Sequence, residues 1–200
     1  TDLIKVNWKP SRVLEEGYSI DKSNGNWLFK KDLERPEILE RKKDVIPFIR
    51  ETADTIYIQP LSALKLSKQQ CVSLSFALKR GIEQHFQIEE NEMGVRIMGD
   101  DDNLSILLYE AAKGSMGILS QLILTPTKLR LVFMDAYRAM HYDVSTREQT
   151  ELGKTLPKAS YSDLLSYSNQ RQHDELDRHA IKETLETLMD CDFDIQTAGR

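Results

Sequence analysis

The residues best suited to chemistry crowd into one stretch near the C-terminal end. Between Tyr161 and His179 fall Tyr167, Asn169, Gln170, Arg171, His173 and Arg178. Asn, Gln and Arg carry the donors and acceptors that bridge phosphates and base edges, and tyrosine stacks on an unpaired base. This composition makes the stretch a candidate surface for phosphates and unpaired bases. The competing reading is internal: Asn169 and Gln170 tie down a loop, and Asp177 pairs with Arg178 or caps locally. Ser166 and His173 are the residue types of a nucleophile and its base, but no nucleophile elbow surrounds Ser166.

A second group follows an apolar run. Gly114-Ser115-Met116-Gly117 would expose backbone N–H groups at a helix start, as a phosphate cradle does. No lysine follows it, and the Walker A spacing Gly-x-x-x-x-Gly-Lys-Ser/Thr is absent from the chain. Close strand–helix packing is the alternative use of Gly114 and Gly117, with Glu110 and Lys113 as a polar rim. Asp100-Asp101-Asp102 lacks the spaced ligands and terminal glutamate of a calcium loop and suits a solvated turn. The histidines His85, His141, His173 and His179 and the cysteines Cys71 and Cys191 show no His-x-x-x-His or Cys-x-x-Cys spacing. Neither a metal centre nor another cofactor is expected, and the chain alone is not expected to be an enzyme.

The elements that must position these groups follow from periodicity. Residues 1–30 read as short strands, with a hairpin at Ser23-Asn24-Gly25-Asn26. Residues 31–50 are charged and read as a connector punctuated by Pro36 and Pro47. Strands are expected at 55–59, 94–98 and 104–109. Ser67, with Gln70 three residues on, opens a helix to about residue 88. Further helices are expected at 115–124, 127–141 (with Thr127 as a cap), 160–168 and 174–190, separated by a polar loop over 143–158. The fold class is α+β: a mixed sheet of about four strands packed by helices, with a short N-terminal β segment. The expected division is 1–50 (β segment and connector), 51–190 (the α+β domain) and 191–200 (a flexible tail).

Composition bounds the partners. The chain has 200 residues, 40 % of them hydrophobic and 30 % charged, with a net charge of −5. Such a balance excludes a coat of basic residues, so any nucleic-acid contact must come from a local patch. No run approaches the roughly eighteen apolar residues of a membrane span. Two lone thiols point to a reducing compartment, hence to the cytoplasm.

Three blocks of this sequence resemble a known family. Leu107-Leu108-Tyr109-Glu110-Ala111-Ala112-Lys113-Gly114-Ser115-Met116-Gly117-Ile118-Leu119 is similar to its signature LYEAAEGGAGVL. Leu78 to Gln84 is similar to its ALKRGIEQ helix. Leu164 to Gln170 with His173 to His179 resembles its closing block, CLLSYxNQ…H…LDRH. The family is the four-cysteine zinc-binding domain at the C-terminal end of MrfA-type superfamily 2 DNA helicases, with relatives in the DISARM anti-phage system. The resemblance spans about residues 50–190. It implies an accessory module of an ATP-dependent DNA helicase or translocase in DNA repair or anti-phage defence. The motor would lie elsewhere in the chain or on a partner subunit, with single-stranded DNA as a possible ligand and Tyr167, Asn169, Gln170, Arg171 and Arg178 as its expected contacts. Where the family carries cysteines, this sequence has Met140, Ser160 and Asp163. A thiolate site contributes on the order of 10 kcal/mol of metal binding. Methionine, serine and one carboxylate cannot reproduce it, so the resemblance implies a degenerate site held by apolar burial. The alternative is a scaffold that docks on a helicase partner without touching DNA.

Overall fold

A computed structural model describes residues 1–6, 17–28, 40–60, 65–99, 103–112, 114 and 116–193. The chain divides into two compact units, Thr1–Thr52 and Ala53–Arg200. Phe29, Lys30, the Asp100–Asp102 run, Lys113, Ser115 and residues 194–200 of the expected tail lie outside the described residues.

In the first unit β1 (Asp2–Val6) pairs antiparallel with β5 (Phe48–Thr52), and β2 (Tyr18–Asp21) lies between β3 (Trp27–Leu28) and β4 (Arg41–Val45). The β2–β3 turn needs left-handed backbone, which Gly25 supplies at φ +77°. Asp21 braces it, accepting from the Ser23 amide and hydroxyl and from Asn24 Nδ2. Strands β4 and β5 correct the reading of 31–50 as a connector throughout. Most of their residues are exposed, so the alternation that betrays a half-buried strand is missing.

The second unit is a three-stranded sheet with helices on it. Its order is β6 (Thr55–Ile58), β8 (Ser105–Glu110), β7 (Met93–Met98), and both pairings are antiparallel. The chain is thus α+β. Its sheets have two or three strands and run antiparallel, rather than forming a mixed sheet of about four. β8 is the apolar run Ile106-Leu107-Leu108-Tyr109 between two partners, and all its residues but Leu107 are buried.

Helix α1 (Lys68–Phe86) starts at the expected capping box: the Ser67 hydroxyl accepts from the Gln70 amide and the Gln70 side chain accepts from the Ser67 amide. Its apolar face packs on the sheet and on α3 (Pro126–Ala139). The two helices meet at Gly81, where a Cβ would stand 2.6 Å from the Val132 carbonyl oxygen and 2.8 Å from the Ala136 Cβ. Between β8 and α3 lies α2 (Ile118–Leu124). Pro126, not Thr127, opens α3; proline suits a first turn because its missing N–H has no helical partner there.

The 143–158 loop contains a short helix, α4 (Glu151–Thr155), capped by the Thr150 hydroxyl on the Gly153 amide. Residues 161–164 are turns, and Tyr167–Glu175 is a 3-10 segment kinked at Asn169. The last helix, α5 (Lys182–Asp190), begins later than expected, although Leu176, Ile181 and Leu185 are all fully buried as their spacing requires. No described helix is long and apolar enough to cross a membrane.

Candidate nucleic-acid interface and adjoining cleft

The degenerate ligand positions lie on two elements that meet. Met140 ends α3, and His141 takes a left-handed φ of +63° to turn the chain away, a conformation histidine tolerates better than most. The imidazole then reaches the 160–163 turn: Nε2 is 3.1 Å from Ser162 Oγ and 3.7 Å from Asp163 Oδ2. Inside that turn Ser160 Oγ donates to Asp163 Oδ2 at 2.5 Å, while Asp163 Oδ1 accepts from the amides of Ser160 and Leu164 at 2.6 and 2.5 Å. Ser160 and Asp163 therefore hold each other, and the bridge to the other element is His141, while Met140 is fully buried in the apolar core. Burial holds the His141 imidazole below its usual pKa, against the pull of Asp163 and with the help of the Arg178 cation. Both contacts use the same ring nitrogen, so His141 cannot relay a proton from Ser162 to Asp163 as a catalytic triad would. Among the described residues no group of three His, Cys, Asp or Glu is placed to hold a metal.

Two of the five expected DNA contacts belong to this architecture. Arg178 has no exposed surface. Its guanidinium donates to four backbone carbonyls, of Pro157 (3.1 Å), Met140 (3.3 Å), Gly153 (2.7 Å) and Leu156 (3.0 Å). It ties the end of α3, α4 and the following loop into one body and has no face left for a phosphate. Asn169 is also buried: its Oδ1 accepts from the Ser166 amide and its Nδ2 donates to the Leu164 carbonyl. The expectation that Arg178 and Asn169 contact DNA is corrected accordingly; the planar fork and the amide each satisfy buried backbone. His173 Nε2 faces the Ser166 carbonyl oxygen and Asn169 Oδ1, each at 3.0 Å, so it does not activate the Ser166 hydroxyl.

Tyr167, Gln170 and Arg171 remain exposed, Tyr167 at 85 %. Arg171 makes no hydrogen bond or ion pair with the described residues, and it lines a cleft of about 540 Å³. The walls are α1, strand β7 and the 3-10 segment 167–175. Four basic side chains, Lys68, Lys79, Arg96 and Arg171, face two acidic ones, Glu90 and Glu175. Lys79 is spent on Glu83, at 3.2 Å, and lies 4.0 Å from Glu90. Glu90 also accepts from the Ser168 hydroxyl at 2.7 Å, which is the main cause holding its carboxyl below the usual range. Lys68, Arg96 and Arg171 have no acidic partner among the described residues. The sequence reading passed over Arg96, whose one local signal is a charged residue between the apolar Val95 and Ile97 of a strand. Lys68 looked like any first residue of a helix.

The strand–turn–helix loop is occupied by its own carboxylate. Glu110, 1 % exposed at the end of β8, accepts from the amides of Met116 (2.6 Å), Gly117 (3.1 Å) and Leu119 (2.9 Å). These are the N–H groups a phosphate would have used. Gly114 and Gly117 have left-handed φ of +80° and +70°, with open space where a Cβ would stand. Their requirement is conformational, not the close packing that two small residues also suggest. A separate cavity of about 250 Å³ between α1, α3 and the sheet is lined almost wholly by aliphatic and aromatic side chains and presents no convergent polar groups.

Compared with protein-family models, with curated proteins and with solved structures, the chain matches none.

Proposed function

We propose that this chain is a non-catalytic accessory module of an ATP-dependent DNA helicase or translocase, assisting DNA binding or bracing the motor. The observation that carries the reading is the meeting of the 140–141 and 160–163 elements. The resembled family needs these two segments in one place to share a metal. Here they share a hydrogen-bonded cluster of His141, Ser160, Ser162 and Asp163, backed by buried Arg178. That substitution supports a fold retained while its ligands changed. DNA contact falls to Tyr167, Gln170 and Arg171, the exposed members of the expected set.

Binding of fluorescent oligothymidylate by the full chain tests this reading. Tyr167→Ala should lose about 1–3 kcal/mol of stacking, and Arg171→Ala should weaken binding and lower the salt slope by about one phosphate's worth. Affinity and slope unchanged in both variants would remove DNA from the account. A second reading, docking on a helicase partner without DNA contact, is favoured by the net charge of −5 and by the burial of Arg178 and Asn169.

A further inference from the structure

We propose that the cleft receives an extended acidic peptide, which adds to the sheet as a fourth strand on the outer edge of β7. The backbone directions follow from two hydrogen bonds. The Glu110 amide donates across to Asp54, on the β6 side, and the Ala111 amide donates to Glu92, on the β7 side. Along an antiparallel ladder this alternates residue by residue. In the observed register Gly94, Arg96 and Met98 therefore turn their N–H and C=O groups to β8, while Met93, Val95 and Ile97 turn theirs to the open edge. No described strand pairs with that edge. Among the described residues the Val95 carbonyl accepts only from the Arg96 guanidinium, at 3.0 Å, a partner a competing carboxylate can draw away. Exposed edges recruit further strands unless they are blunted, and among the described residues the blunting is a single arginine.

The cleft also specifies side chains. It runs along Met93–Ile97. On the buried face of β7 its floor is Val72 and Phe76 of α1, so residues of an added strand beside Val95 would be apolar. Residues beside Arg96 would meet its cation, while Lys68, one helical turn before Val72 on α1, and Arg171 line the cleft on the helix side and add to its positive charge. Alternating apolar and acidic residues satisfy both faces. A nucleic acid fits less well. Tyr109, the tyrosine lining the cleft, is 8 % exposed and its ring lies across Gly94, so it offers no stacking face, and Tyr167 is not among the lining residues. The inference gives chemical identity to a docking partner, but it needs no motor and no DNA, so it can fail while the proposed function stands.

The test uses the full chain and a blocked, labelled peptide of alternating glutamate and valine. About eight residues suffice to cover β7 at about 3.4 Å per residue. Saturable binding is expected, with slowed hydrogen exchange at the Val95 and Ile97 amides. N-methylation of alternate peptide residues, which deletes ladder donors, should weaken binding about tenfold or more. The double variant K68E/R171E should do the same through charge reversal; both side chains are exposed, and glutamate at the first residue of a helix suits its dipole. Three results would overturn the proposal. One is binding that leaves the Val95 and Ile97 amides unprotected, and another is binding indifferent to N-methylation. The third is oligothymidylate displacing the peptide and protecting the cleft in its place, which would make this a nucleic-acid groove.

Discussion

Replacing Arg178 separates a buried brace from a DNA contact more sharply than any other substitution. The side chain is fully buried and its guanidinium serves four main-chain carbonyls at 2.7 to 3.3 Å. A hydrogen bond from a charged donor contributes roughly 1.5–3 kcal/mol, and the four are not additive because one group makes them all. Arg178→Ala strands those carbonyls and opens a cavity, so a loss of about 4 kcal/mol is expected, near the upper end for one substitution. For a chain of this size that lowers the melting temperature by roughly 8–16 °C. Arg178→Lys should fall between, because an ammonium on a flexible stem cannot span four fixed acceptors. Urea denaturation followed by far-ultraviolet circular dichroism reads the change in midpoint, with single-strand affinity measured on the same samples well below the transition. A midpoint within experimental error of wild type, together with weakened single-strand binding, would refute the reasoning and return Arg178 to the DNA surface.

Other outcomes follow from the same geometry. Glu110→Gln should cost about 1–3 kcal/mol, because one of the two acceptor oxygens that hold the start of α2 becomes a donor facing N–H groups; thermal melts read it. Gly81→Ala should destabilise by roughly 1–2 kcal/mol: the helix-propensity gain is outweighed by a Cβ set against the Val132 carbonyl, which cannot move without separating α1 and α3. His141 is held below its unfolded pKa, so the folded state binds its proton less well. That part of the stability is complete above about pH 6.5 and is lost as pH falls through the lower folded value. His141→Gln should flatten this acid limb in urea midpoints taken between about pH 5 and about pH 8.

Much of the second unit was legible in the sequence. The capping box at Ser67, the period of α1 and the apolar run of β8 are local signals, and each produced the element expected. Strands β4 and β5 were not legible because their exposed faces leave no alternation. At the site the failure has a physical cause. Arginine and asparagine were read by the ligands they can bind and Glu110 as part of a polar rim, yet Arg178, Asn169 and Glu110 spend their donors and acceptors on the chain's own backbone. Residue type sets what a side chain can bond, whereas burial decides whether the partner is inside or outside, and burial depends on packing between segments far apart in sequence. The cleft was hidden for the same reason: Lys68, Arg96 and Arg171 are separated along the chain and gathered by the fold.

The accessory role is tested most directly by isolating the native protein from its source under mild conditions and assaying the preparation for nucleotide hydrolysis with and without single-stranded DNA. The account predicts a stoichiometric Walker-motif ATPase, in the same chain or a bound subunit, whose DNA-stimulated turnover falls when this module is removed. A preparation with no nucleotide motor, or one whose DNA-stimulated turnover is indifferent to the module's removal, would contradict it.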